Sequence, residues 1–312
     1  MHTILGAGGV IGNGLALELA TRKLPFRLVS RNPTSLPGAT ETIAANLTDP
    51  AQVLNAVAGS SVVYLVAGLK YDLRVWQRDW LRIIDNTIEA CKRANARLIF
   101  FDNVYMYGKV DGPMTEETPF NPCSKKGEIR AELATRILEE CNVGLLTALI
   151  ARAADFYGPG ATNSGPHVLI FDPLSKGKLP STSITGSKPH SLTYTPDVAR
   201  ALLMLADRDS AWNQTWHLPT APNPLTTDEF ITLAAAEFDR SAKHKNLSRT
   251  MFRIGGLFDR TIYECIEMLY QSDSAYIFDS GKFAREFGFN ATSYQQGIRT
   301  TAAAYKQPQS NI

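Results

Sequence analysis

Apolar and polar positions change period several times along the first half of this chain. His2 to Leu5 is a short apolar run that reads as a buried strand, and Leu15, Ala16 and Leu19 then recur at helical spacing up to Lys23. Phe26 to Val29 reads as a second strand and Thr42 to Ala45 as a third. The continuous run Val62 to Ala67, closed by Gly68, reads as a fourth. Pro50 to Ala58 fits a short helix with Asp49 as its N-cap. Trp76 to Ala94 sets Trp76, Trp80, Ile83, Ile84, Ile88 and Cys91 on one helical face. Arg97 to Phe101 is the fifth strand and Leu145 to Ile150 the sixth. Strand and helix alternating in this way predict an α/β fold, a doubly wound parallel sheet of Rossmann type.

Beyond the sixth strand the pattern loosens. Gly158 to His190 is rich in Gly, Pro, Ser and Thr, with one helix-like stretch at His167 to Ser175. Asp197 to Ala206 reads as a helix, Thr215 to Leu218 as a strand, and a helix capped by Thr226 or Thr227 runs to Phe238. Met251 to Tyr270 reads as one largely apolar helical stretch, and Gly281–Phe287 and Thr292–Tyr305 as closing helices. The expected organisation is a larger domain over 1–157 plus about 191–212, with a smaller C-terminal lobe from 158–190 and 213–312. A pocket is expected at the carboxyl ends of the strands. A polar tail, Lys306 to Ile312, closes the chain.

Composition narrows the partners. Hydrophobic content of 44% and charged content of 20% over 312 residues are those of an ordinary globule. A net charge of +2 argues against a nucleic acid or a membrane as partner, and a small molecule is expected instead. No basic stretch precedes the first strand and no apolar run is long enough to span a bilayer, which fits a cytoplasmic protein. Cys91, Cys123, Cys141 and Cys265 show neither CxxC nor zinc spacing, so no metal is expected and the thiols read as reduced and mostly buried. Lys243, His244, Lys245 and Arg249 form a small basic cluster that reads as a solvated turn.

The chemistry concentrates after the first strand. Gly6, Gly8, Gly9 and Gly12 stand between a strand and a helix, where glycine lets the backbone turn sharply and approach a ligand closely. The helix start adds free N–H groups and the positive end of its dipole, a seat for a pyrophosphate. At the tip of the second strand, Ser30-Arg31-Asn32-Pro33 holds no carboxylate for a ribose 2′-OH and offers Arg31 for a 2′-phosphate. The expected cofactor is therefore NADP(H), with NAD possible. Asn46 has an amide that suits either an adenine edge or a turn.

The chain resembles the extended short-chain dehydrogenase/reductase superfamily, in particular its NAD-dependent epimerase/dehydratase branch. Gly6-Ala7-Gly8-Gly9-Val10-Ile11-Gly12 resembles that branch's GxxGxxG opening, and Asn46-Leu47-Thr48-Asp49-Pro50 its Asp-Leu-x-Asp-Pro element. Tyr105-Met106-Tyr107-Gly108 stands in the place of Val-Tyr-Gly. Thr115 to Pro122 is similar to the loop before the catalytic helix. Arg152 to Gly160 is similar to Arg-x-x-Asn-x-Tyr-Gly-Pro-Gly, and Tyr194 to Ala199 to Val-x-Asp-Val-Ala. The resemblance implies cofactor contacts at Gly6, Gly9, Val10, Ile11 and Gly12, at Arg31, Asn46 and Leu47, and at Val66, Ala67 and Gly68. It also implies substrate contacts at Tyr107, Asp155 and Tyr157, and a homodimer through Trp76–Ala94 and Lys125–Cys141; His190, read by itself, suits an anionic part of the substrate or a surface position.

The departures concern the catalytic set. The family uses a Ser/Thr to polarise the carbonyl, a Tyr as acid/base, and a Lys four residues on that lowers the Tyr pKa and holds the nicotinamide ribose. Here the serine place falls on Asn103, and Ser124 to Glu132 contains no tyrosine. One register sets Lys126 on the tyrosine and Arg130 on the lysine; another sets Ser124 and Glu128 there. The first is preferred, because Arg130 keeps the cation that a ribose and phosphates need. Asn103, Lys126 and Arg130 are then the catalytic candidates, with Tyr105 and Tyr107 as alternative acids close by. Three functions fit: an NADP(H)-dependent oxidoreductase acting on a small carbonyl or alcohol, a nucleotide-sugar epimerase or dehydratase, and a non-catalytic NADP(H) sensor.

Overall fold

The computed structural model describes residues 1–306; the tail read above at Lys306 to Ile312 lies outside them from residue 307 on. Seven parallel strands form one sheet. They are β1 (His2–Leu5), β2 (Phe26–Ser30), β3 (Glu41–Ala44), β4 (Val62–Leu65), β5 (Arg97–Asp102), β6 (Ala148–Arg152) and β7 (Thr215–His217). Their spatial order is β7-β6-β5-β4-β1-β2-β3, so the direction of winding reverses between β1 and β4. In open sheets of this kind ligands bind at the carboxyl ends of the strands beside that reversal. Four of the helices of this region are α1 (Val10–Thr21), α2 (Pro50–Val57), α3 (Leu73–Ala94) and α4 (Lys125–Asn142).

One face of the sheet, built from alternate residues such as Val63, Leu65, Leu98, Phe100, Ala148 and Ile150, is buried under α2, α3 and α4. The apolar stripe Trp76–Trp80–Ile83–Ile84–Ile88 of α3 lies in that cluster. Elsewhere α1 approaches the Thr195–Ala206 helix closely, where a Cβ on Gly14 would stand 3.3 Å from the Ala199 methyl. Asp49 caps α2 as the pattern predicts, its carboxylate accepting from the N–H of Ala51 (2.9 Å) and Gln52 (3.1 Å).

The chain divides into two units. The first comprises 1–108, 119–152 and 198–218; the second comprises 109–118, 153–197 and 219–312. Thr215–His217, assigned from sequence to the lobe, pairs with β6 as the edge of the sheet. The sixth strand begins at Ala148 rather than Leu145. Gly144 takes a left-handed turn (φ +73°), and Leu145 N–H bonds back to the Glu140 carbonyl, so this stretch finishes α4 instead. In the second unit, short parallel strand pairs surround a core of Tyr157, Phe171, Tyr194, Phe230, Tyr294 and Ile298. A capping box between Thr226 and Glu229 opens the helix Thr227–Glu237. The stretch Met251 to Tyr270, expected as one helix, is broken. Arg249–Gly256 ends at a turn, and Asp259 caps a second helix, Arg260–Cys265, through the N–H of Thr261 and Ile262. Of the thiols, Cys91 is buried, Cys141 and Cys265 are half-buried, and Cys123 is exposed, against the expectation of mostly buried cysteines.

Candidate active site

At the end of β1 the chain turns on two glycines of positive φ, Gly6 (+98°) and Gly8 (+99°). A Cβ on Gly6 would collide with the backbone of Ala67, and one on Gly12 would stand 3.2 Å from the Gly6 carbonyl oxygen. The absence of side chains lets this turn lie directly against the segment leaving β4, Val66-Ala67-Gly68. The N–H groups of Gly6 and Ala7 both donate to the Val29 carbonyl, at 2.9 and 3.0 Å, which anchors the turn to β2. Asp49, Asp72 and Ser124 cap α2, α3 and α4 through their side chains, whereas α1 opens on Gly9 with no side-chain cap. Its first-turn N–H groups, from Val10 to Gly12, stand beside the β1/β4 reversal, an arrangement that accepts an anion.

Arg31 is exposed at the tip of β2. The Asp79 carboxyl on α3 is held below the ordinary carboxylate range, first by its hydrogen bond to Arg78 and then by the charges of Arg78, Arg82 and Arg31. Asn46 is a turn residue in this structure, its Oδ1 accepting from the N–H (3.1 Å) and hydroxyl (2.9 Å) of Thr48. Leu47 is buried, and its carbonyl accepts from Asn86 Nδ2 at 3.0 Å.

The carboxyl ends of β5, β6 and β7 hold a row of charged and polar side chains. Strand register sets Asp102 beside Arg152, and Arg152 beside His217, and all three are buried. Arg130 Nε donates to Asp102 Oδ1 at 2.6 Å, and its Nη2 pairs with the same oxygen. Arg152 Nε lies 3.6 Å from Asp102 Oδ2, and Arg152 Nη1 donates to the Tyr107 hydroxyl at 2.7 Å. That hydroxyl also lies 2.8 Å from His217 Nε2. Two sealed guanidinium groups thus share one carboxylate.

This network relocates several sequence expectations. Arg130, expected at a ribose, has its guanidinium on Asp102 and lies over the rings of Trp80 (4.6 Å) and Phe100 (5.0 Å). Tyr107, expected at the substrate, is buried between Arg152 and His217. Lys126 has no exposed surface, and its Nζ stands 4.7 Å from the centroid of the Tyr71 ring. Asn103 and Tyr105 remain half-exposed. Asn103 Oδ1 accepts the Tyr105 N–H at 3.0 Å, and the Tyr105 ring stacks on Trp76. Sequence reasoning missed Asp102 and His217. The available signal was a charged or polar residue ending three of the apolar strands, in Phe101-Asp102 and Trp216-His217 as in Ala151-Arg152.

With this geometry in place, a family model described as "NAD dependent epimerase/dehydratase family" matches residues 2–217. The chain belongs to that family. Solved epimerase/dehydratase structures share its fold over nearly all of its length. MoeE5 in complex with UDP-glucuronic acid and NAD is 22% identical, with a TM-score of 0.78 over 98% of both chains. The UDP-glucose 4-epimerase of Thermus thermophilus, complexed with NAD, is 17% identical, with a TM-score of 0.78 over 98% of this chain and 99% of that one. DesIV, a dTDP-glucose 4,6-dehydratase of Streptomyces venezuelae, seen as a double mutant with NAD and DAU bound, is 16% identical, with a TM-score of 0.79 over 98% and 97%. No curated protein matches the chain.

In the second unit, Asp155 stands in the place of the asparagine of the family's Arg-x-x-Asn. The structure brings it to His190, whose Nε2 lies 3.0 Å from Asp155 Oδ2. The imidazole stacks on Tyr276 with centroids 4.3 Å apart, and the His190 and Asp155 side chains are 17% and 38% exposed. A neutral imidazole donating from Nε2 to this carboxylate would present Nδ1 as an acceptor. Tyr157, expected beside them, belongs instead to the core, packed on Tyr194, Phe230 and Tyr294. Among the described residues, no group of three His, Cys, Asp or Glu side chains gathers as a metal site.

Proposed function

We propose that this chain binds NADP(H) and uses it as an oxidoreductase on a small carbonyl or alcohol, with a catalytic set that departs from Ser-Tyr-Lys. The observation that carries the reading is the glycine turn pressed onto Ala67 beneath an uncapped helix start at the β1/β4 reversal. A dinucleotide pyrophosphate suits that seat. Arg31, with no carboxylate at the β2 tip, supports the 2′-phosphate form. The half-exposed pair Asn103 and Tyr105 is assigned to the substrate oxygen, Asn103 through its amide NH₂ and Tyr105 as acid. Asp155 and His190 are assigned to substrate contact.

The test has two stages. Titration with NADPH and NADH, followed by fluorescence or heat, should favour NADPH, and Arg31→Asp should reverse that preference; equal binding of both by wild type and variant removes Arg31 from the site. NADPH consumption is then measured against a panel of aldehydes and ketones. Tyr105→Phe should abolish turnover and leave NADPH affinity unchanged. Lys126→Met, at a position with no exposed surface, should lower stability more than kcat.

A second reading is nucleotide-sugar epimerisation or dehydration. It is favoured by the neighbours just described, a complex with UDP-glucuronic acid, a UDP-glucose 4-epimerase and a dTDP-glucose 4,6-dehydratase, each similar in fold across the same length of chain. Conversion of UDP-glucose with no net change in added NAD would establish it over the first. NADPH binding without turnover on either panel would favour a sensor.

A further inference from the structure

Half of the large apolar side chains exposed among the described residues lie within one short stretch: Met251, Ile254, Leu257, Phe258 and Tyr263. They sit on a hairpin of two helices, Arg249–Gly256 and Arg260–Cys265. The packed side of this hairpin is small. A Cβ on Gly255 would stand 3.3 Å from Ile262, and one on Gly256 3.0 Å from the Tyr263 backbone, so the glycines make the contact and the large residues face away. None of the residues of Arg249–Gly256 is buried. Leu257 and Phe258, adjacent in the turn between the helices, are 80% and 88% exposed. An amphipathic helix in a folded domain ordinarily buries such side chains.

The same stretch concentrates positive charge. Arg240, Lys243, Lys245, Arg249, Arg253 and Arg260 are all exposed; Asp259 is the one acidic residue between 240 and 263, while Arg249 pairs with Asp273 and Arg260 with Glu264, which leaves Arg240, Lys243, Lys245 and Arg253 as the main source of positive charge. The chain as a whole carries only +2, so the remainder is net negative and the average conceals a basic patch. Large apolar side chains at an exposed turn, ringed by Arg and Lys, are the pattern of a segment that lies in a membrane interface: the rings and methyls enter the acyl boundary and the cations meet lipid phosphates. No described helix is long and apolar enough to cross a membrane, so the contact is peripheral. A second copy docking through the same face would set like charges against each other.

We propose that the hairpin from Lys243 to Tyr263 docks this protein on the surface of an anionic lipid bilayer. This does not rest on the catalytic reading, and it reverses the expectation drawn from net charge. The experiment is co-flotation of the purified full chain with vesicles of equal parts phosphatidylglycerol and phosphatidylcholine, and with phosphatidylcholine alone. Binding should be at least about tenfold greater on the anionic vesicles and should fall with added salt. Leu257→Ser with Phe258→Ser, and separately Arg253→Glu, should each reduce it roughly tenfold or more, with unchanged far-UV circular dichroism. Equal recovery on both vesicle types, or variants that float like wild type, would overturn the proposal. So would a vesicle-free dimer that the Leu257/Phe258 double variant dissolves, or retention on poly-glutamate with no flotation. Those two outcomes assign the face to self-association or to an acidic protein.

Discussion

Asp102→Asn should be among the most damaging isosteric changes in the first unit. Asp102 is buried, and it is the carboxylate partner of both Arg130 and Arg152. The substitution keeps the shape of the side chain and removes its charge, leaving two sealed guanidinium groups with no counter-ion. Arg152 Nε and Nη2 already lack hydrogen-bond partners, so they have nothing to turn to. A unit-charge pair near 4 Å is worth about 4 kcal/mol at an effective dielectric of 20. Removing one member of a buried pair costs about 3–5 kcal/mol, because the stranded charge stays desolvated. We expect Asp102→Asn to lose about 3–5 kcal/mol, and Asp102→Asn with Arg130→Met to lose less than the single change, because the second substitution removes one stranded cation. Urea unfolding followed by tryptophan fluorescence measures this directly. Trp76, Trp80, Trp212 and Trp216 all belong to the first unit, and Trp80 lies against Arg130. A loss below about 1 kcal/mol for the single variant, or a double variant as unstable as the sum of both, would falsify the account of a carboxylate holding two buried cations.

The glycine turn separates two causes of damage. Gly6→Ala sets a methyl into the Ala67 backbone and should abolish NADPH binding, whereas Gly8→Ala meets open space and should cost only the roughly 1–2 kcal/mol of a left-handed backbone; equal losses in a titration series would contradict the close approach. Burial, and next the charge of the chain's amino group, lower the His2 pKa below its usual 6.5. The unfolded chain therefore takes up a proton that the folded chain resists, so stability should fall as pH drops below about 6.5. His2→Gln should flatten that part of the urea-midpoint profile, and an unchanged slope would reject His2 as its source. Burial pushes the Cys91 thiol up to about 12 while Cys123 is exposed, so a thiol reagent should label Cys123 first in native protein and Cys91 only after denaturant. Peptide mapping that finds early label on Cys91 would refute the burial.

Much of the first unit was legible because its signals are local. A four-residue apolar run, a glycine cluster and a helical stripe are each read within a few neighbours, and they placed β1, the turn and α1 in order. Caps were legible for the same reason, as at Asp49 and Thr226. The boundary of β6 was misread because Leu145 looks apolar, while Gly144 turns the chain so that this residue ends a helix. The stretch from Met251 to Tyr270 was legible as helical, but not its break at Gly255 and Gly256, whose lack of side chains lets the two short helices touch.

The sequence by itself determined the parallel α/β architecture, the glycine turn at the head of α1 and the absence of tyrosine from 124–132. It named Arg130, Tyr107, Asp155 and His190 without showing what each would face. Only the tertiary structure decided that Arg130 and Arg152 converge on Asp102, that Tyr107 closes onto His217, and that His190 meets a carboxylate 35 positions away. The physical reason is that a side chain's charge is assigned by its nearest neighbours in space. In a parallel sheet those neighbours are fixed by strand register and crossover packing, and neither is written in any short window of the chain.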